Sequence, residues 1–165
     1  MRPLWTCPKC RHQFVTRNLW HSCVRVPISA HFQGRAAELR PAFGAFADAA
    51  EACGPVTIYA QKTRIVVQAR VRFAGVVVRA GFIDAGLWLK ERARHPRLIR
   101  TEVFGSLGYG LHFRLERPSD VDAALRRLVR RAYREAIAGP AQARRHGRRR
   151  PPGRSSDPDP TPRSS

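Results

Sequence analysis

The feature that most constrains this chain is a series of six strand-like runs joined by connectors too short for a crossover. The runs cover residues 56–60, 64–69, 72–78, 82–89, 98–104 and 109–116, and Val, Ile, Leu and Phe dominate them. Links such as Ala80 with Gly81, or residues 105–108, leave no room for the long return that parallel strands need. They predict an antiparallel meander.

A helix precedes this sheet and another follows it. Ala36, Leu39, Phe43, Phe46 and Ala50 recur at helical spacing between residues 33 and 53, with Pro41 suited to a first turn and Gly54 with Pro55 as the stop. The closing helix can be capped by Ser119, and Asp120 and Asp122 suit its dipole. Val121, Leu125, Leu128, Ala132 and Ala136 form its apolar stripe. At 100° per residue, Arg126, Arg127, Arg130, Arg131 and Arg134 fall opposite, within an arc of roughly 140°. Gly139 and Pro140 end it. The expected fold class is α+β: an antiparallel meander sheet packed by two helices, preceded by a small zinc-ribbon or knuckle-like segment.

That preceding segment, residues 1–26, carries the sharpest motif, C-P-K-C-R-H-Q-F-V-T-R-N-L-W-H-S-C. Cys7 and Cys10 have the spacing at which one tight turn grips one ion, and His21 and Cys23 complete a Cys₃His set, the donor chemistry of a closed, structural Zn²⁺ site. His21 and Cys23 lie about 200° apart on an α-helix, so the chain must turn or unwind there. His12 is an alternative ligand, and a redox C-x-x-C pair an alternative use of the cysteines. Phe14, Trp5 and Trp20 can supply a miniature core, and Cys53 belongs to the main one. Lys9, Arg11, Arg17 and Arg25 surround the cluster.

Residues 27–139 form the folded domain. Residues 140–165 hold no aromatic or large aliphatic side chain, and are expected to be a disordered tail rich in Arg, Pro and Ser. The net charge of +19 is not a tail effect, because that segment has only seven Arg against two Asp. So large an excess attracts polyanions, nucleic acid first and an acidic protein partner second. The Arg stripe and the tail would form a phosphate track. No stretch is long and apolar enough for a membrane span and no secretory h-region opens the chain, so a cytoplasmic protein is expected.

Enzymatic motifs are scarce. No acidic residue lies two before Lys9, Lys62 or Lys90, the only Asn sits inside the cysteine cluster, and neither a nucleophile elbow nor a phosphate loop occurs. One polar constellation on predicted strands could be an anion patch: Lys62, Arg72, Arg100 and His112, with Glu102. Its alternatives are the solvated outer face of a two-layer sheet and a protein-docking face. The reading reached is a zinc-containing, non-enzymatic module that contacts nucleic acid through phosphates. The alternatives are a protein-interaction adaptor using the sheet face, and an enzyme of unrecognised type centred on Lys62, Arg72 and His112.

The chain also resembles a bacterial family known as domain of unknown function 5655. The likeness covers about residues 4–137 and rests on LWTCPKC, RNLWHSC, His31 with Phe32, the GPV at 54–56, QKTRIVVQARVRFAG and SDVDAALRRLVRRAY. It implies an α+β domain behind a cysteine-rich N-terminus, in a family whose related domains look like appendages of other bacterial proteins, some nuclease-like. It carries no activity or catalytic residues. Arg11 and His12 depart from the small Gly expected after a finger-like C-P-x-C.

Overall fold

The computed structural model describes residues 3–18, 21, 23–24 and 26–138. Trp20, Arg25 and the tail 140–165 lie outside the described residues. A two-stranded hairpin, β1 (Trp5–Thr6) and β2 (Gln13–Phe14), comes first. It is followed by α1 (Leu39–Glu51), then β3 (Thr57–Ala60), β4 (Ile65–Gln68), β5 (Arg72–Val78), β6 (Ile83–Leu89), β7 (Leu98–Val103) and β8 (Tyr109–Leu115), and finally α2 (Ala123–Ala138). The expected α+β class is observed, with all neighbouring pairs antiparallel.

The strand order is β3-β4-β5-β6-β8-β7, so the meander runs in sequence through β6 and then exchanges its last two strands. Composition explains the exchange. β8 sends Leu111, Phe113 and Leu115 into the core and is buried by a neighbour on each side. β7 carries Arg100 and Glu102 and leaves Ile99 and Val103 exposed, which suits a charged edge strand. Residues 90–97 are long enough to pass β8 and reach that edge.

Both helices pack on one face of the sheet. Period-two alternation decides which side chains meet them: Ala74, Val76 and Val78 from β5, Ile83, Ala85 and Leu87 from β6, against Phe43, Phe46, Leu125, Val129 and Ala132. The first helix begins at Leu39, later than the periodicity suggests, because residues Ile28–Phe32 form a 3-10 turn and Gly34 has φ +65. Ala36 is consequently exposed, while Pro41 sits in the first turn as expected. Gly54, at φ +142, ends the helix where the Tyr133 hydroxyl comes so close that any Cβ would clash. Val121 is buried but precedes α2, and Asp122 rather than Ser119 caps that helix, its Oδ1 accepting the Leu125 N–H at 2.8 Å. Val129 and Tyr133 join the buried stripe, and Leu128 is only half-buried. Among the described residues no helix is long and apolar enough to cross a membrane.

Candidate metal centre and the outer face of the sheet

The β1–β2 hairpin brings Cys7 and Cys10 to one tight turn, closed by Cys7 N–H to the His12 carbonyl and Arg11 N–H to the Cys7 carbonyl, both at 2.9 Å. The ligand atoms of Cys7, Cys10, His21 and Cys23 all lie within 4.8 Å of one another, so these four residues could hold a metal ion. The Cys7 and Cys23 sulfurs are 3.9 Å apart, and His21 Nε2 lies 3.2 Å from the Cys10 sulfur and 3.4 Å from that of Cys23. A tetrahedral Zn²⁺ with ordinary bond lengths spaces two thiolates by about 3.8 Å, and a thiolate from an imidazole nitrogen by about 3.6 Å. The donors present therefore fit such an ion. Cys7 and Cys10 are buried and the His21 ring packs 4.4 Å from Phe14, with Trp5 alongside.

Crowding shows in the thiols. Backbone hydrogen bonding, first from Cys10, holds Cys7 down to about 6, while desolvation pushes Cys23 up to about 11. The Cys7 and Cys23 sulfurs, 3.9 Å apart, repel each other when both are ionised, and a cation between them would remove that cost. His12 is not in the set: its ring lies 3.9 Å from that of Tyr59. Cys53 is half-buried against the main core, bonded to the Ala49 carbonyl at 3.2 Å. Burial pushes its thiol up, against the pull of Arg130 and Arg134.

The hairpin docks on the face of the sheet opposite the helices. Gln68 Nε2 donates to the Gln13 carbonyl at 2.6 Å, and the Tyr59 hydroxyl donates to Gln68 Oε1 at 3.2 Å. Arg72 spans the seam, 5.7 Å from the Phe14 ring centre and 5.9 Å from that of Tyr59. Arg72 is thus a clamp under the metal unit rather than part of an anion patch. Lys62 is exposed in the β3–β4 turn and also stands apart from the patch.

The other half of that face is open. One row of directly paired residues crosses all six strands: Tyr59, Val66, Gly75, Gly86, His112 and Arg100. Paired residues share a face, so His112 lies on the same side as the docked hairpin, about 19 Å from Tyr59 at ordinary strand spacing. A hollow of ≈ 170 Å³ surrounds this row. Its floor includes Gly75, Gly86 and Gly110, and Arg64, Arg79, Asp84, Trp88, Arg100, Glu102 and His112 rise around it. The side chain of Asp84 is only 8% exposed. Its Oδ1 accepts His112 Nδ1–H at 2.6 Å. Arg100 Nη2 approaches both ring nitrogens, 3.2 Å from Nδ1 and 3.3 Å from Nε2, and with the proton of a neutral ring on Nδ1 only Nε2 can accept from it. Arg100 Nη1 pairs with Glu102 Oε1 at 3.0 Å.

The structure therefore gathers Arg100, Glu102 and His112 of the expected patch, excludes Lys62 and Arg72, and adds Arg64, Arg79, Asp84 and Trp88. The added β6 residues had a signal: Asp84, Gly86 and Trp88 occupy the outward positions of a strand whose inward ones are Ile83, Ala85, Leu87 and Leu89.

On the opposite side of the molecule, Arg126, Arg127, Arg130 and Arg134 are exposed along α2. Arg131 is not equivalent to them, since Glu91 at 2.7 Å and Glu135 at 3.2 Å occupy its guanidinium. Arg126 Nε donates to the Val121 carbonyl at 3.1 Å.

No curated protein and no solved structure matches the chain. A family model described as Domain of unknown function (DUF5655) matches residues 28–136, from the 3-10 turn before α1 to the last buried residue of α2. The match takes in the sheet, its hollow and both helices but not the cysteine-rich hairpin, and it covers more than half of the chain, which therefore belongs to this family of unknown function.

Proposed function

We propose that the protein is a zinc-containing module that binds nucleic acid through phosphates, with little sequence preference. The observation that carries this reading is the free basic face of α2. Among the described residues, no carboxylate lies within ion-pair distance of Arg127, Arg130 or Arg134, although the chain's acids do pair with Arg131. Exposed guanidinium forks along one helix face, with Arg130 also beside the Cys53 thiol, suit a phosphate backbone, and counterion release supplies the affinity. The Arg-rich tail would extend the same track.

Zn²⁺ suits the Cys₃His donors, and four protein ligands leave it no open position, so its part is structural. It fixes a hairpin too small to fold alone against Tyr59, Gln68 and Arg72. A reducing cytoplasmic setting would keep the thiols available.

The test is binding of the full chain to duplex and single-stranded oligonucleotides across a salt series. Neutralising Arg127, Arg130 and Arg134 to Gln should weaken binding similarly for all sequences. It should also lower the salt slope by about 0.9 per lost duplex contact. An unchanged slope would remove the helix from the interface and favour an acidic protein partner.

A further inference from the structure

The hollow on the outer face lies on the far side of the sheet from α2, and nothing in the reading above uses it. We propose that it binds the phosphate group of a phosphate monoester, held by the guanidiniums of Arg64, Arg79 and Arg100.

Charge is the first argument. Three guanidiniums and two carboxylates line one small hollow, which leaves an uncompensated cation even with His112 neutral. The second is how loosely Asp84 holds the cations beside it. Its Oδ1 accepts from His112, and its Oδ2 meets Arg79 at 3.8 Å and Arg100 at 3.7 Å, too far for hydrogen bonds, so Glu102 at 3.0 Å is the one close carboxylate partner of Arg100. Both Arg side chains are half exposed, at 53% and 52%, so donors on each remain available. Arg64 pairs with no carboxylate among the described residues.

Placement is the third argument. Arg64 precedes β4, Arg79 lies in the β5–β6 turn and Arg100 is on β7, so the cations reach the hollow from separate elements. Convergence from several directions suits a tetrahedral anion with three terminal oxygens better than a planar carboxylate. The floor is glycine because side chains lie close over it: a Cβ on Gly75 would meet the Trp88 ring at 3.5 Å and one on Gly110 the Phe104 ring at 3.0 Å. A Cβ on Gly86 would already touch the His112 ring at 3.4 Å. At ≈ 170 Å³ the hollow is smaller than the roughly 300 Å³ at which drug-sized pockets begin. It accepts a phosphate and a few attached atoms, and Trp88 at the rim offers a ring to whatever the phosphate carries. His112, anchored by Asp84, is a wall of the site and a spectroscopic reporter for it.

The shared chemistry has two sources, a free phosphate ester or the terminal phosphate of a nucleic-acid strand. The experiment follows the His112 ring signals of the full-length protein by NMR in phosphate-free buffer. The probes are inorganic phosphate, a nucleoside 5′-monophosphate, and one oligonucleotide with and without a 5′-phosphate. Phosphate and the monophosphate should shift His112, and Arg64→Gln or Arg79→Gln should weaken that binding about tenfold. Arg64→Gln removes no ion pair, so it tests the site without unfolding it. The Arg127, Arg130 and Arg134 variants should leave the His112 response intact, which keeps failure here separate from failure of the α2 interface. A stronger response to the 5′-phosphorylated strand than to its unphosphorylated twin identifies a strand end as the source. Equal responses to the twins, with monophosphate binding retained, identify a free ester. No shift with any phosphate probe, or a shift that survives both Arg substitutions, overturns the proposal.

Discussion

His112 Nδ1 lies 2.6 Å from Asp84 Oδ1 across the β6–β8 ladder, a diagonal contact two residues along β6 from its direct partner Gly86. A glycine at that partner position lets the ring lean toward the neighbouring carboxylate. The pair is mutually dependent, because Asp84 is almost fully buried and His112 gives it its shortest hydrogen bond. His112→Phe should cost about 1–3 kcal/mol by leaving that carboxylate short of a donor. Asp84→Asn in the same background should recover part of the loss. Denaturant unfolding of both singles and the double gives the coupling. Strict additivity would mean that the two residues are neighbours without being partners.

The metal centre predicts a spectrum. Co²⁺ added to metal-free protein should give the intense visible and thiolate charge-transfer bands of a tetrahedral S₃N site. Zn²⁺ should then bleach them. Cys23→Ser should abolish the tetrahedral bands. The helices and the six-stranded sheet should keep their far-UV circular dichroism, since their core is separate from that of the hairpin. A pale octahedral spectrum would rule out the four-ligand centre.

Arg11 stands in the left-handed region at φ 65, immediately after the second cysteine of the metal turn. A side chain there costs about 1–2 kcal/mol, and glycine relieves that while adding unfolded-state entropy. Arg11→Gly should therefore tighten metal binding modestly, by up to about 1 kcal/mol, in a chelator competition assay. Weaker binding would mean that the Arg11 side chain supports the turn in a way the strain argument misses.

The elements were legible where the physics is local. Alternating apolar residues located all six strands, because each core-facing position repeats every second residue. Cys7, Cys10, His21 and Cys23 were legible because ligand type, number and spacing are all written in the sequence. The sheet-face site was only half legible, because it depends on register. Asp84 meets His112, and Arg79 and Arg64 come to the same hollow, through pairings that no single strand announces. Arg72 lies away from the hollow because pairing slips between Val67 and Gln68, opposing Arg72 to Gln68 at the hairpin's end of the face. The β7–β8 exchange was hidden for a similar reason: connector length permits a neighbour and does not choose it. Ser119 and Asp122 both carry capping side chains, and the 3-10 turn Pro118–Asp120, which the sequence does not separate from the helix, is what moves the cap to Asp122.

That cap gives a pH dependence whose sign is fixed. Asp122 accepts the Leu125 N–H at 2.8 Å and lies 3.1 Å from His95 Nε2. The Leu125 hydrogen bond, more than the histidine, holds the Asp122 carboxyl below its usual range. The Arg97 N–H donates to His95 Nδ1 at 3.1 Å, so the neutral ring carries its proton on Nε2 and donates it to Asp122. A carboxyl whose folded value is depressed adds stability fully above its unfolded value, and that stability disappears as pH falls through the folded one. Asp122→Ala should therefore cost about 1 kcal/mol near neutrality. The gap between wild type and variant should narrow progressively as the solution is acidified below the ordinary carboxylate range. Asp122→Asn retains a cap but not the charge, so it should lie between them near neutrality and converge on wild type in acid. Thermal melts of the three proteins across that range test the assignment. A gap that stays constant with pH would show that the side chain stabilises the helix through its shape rather than through its charge.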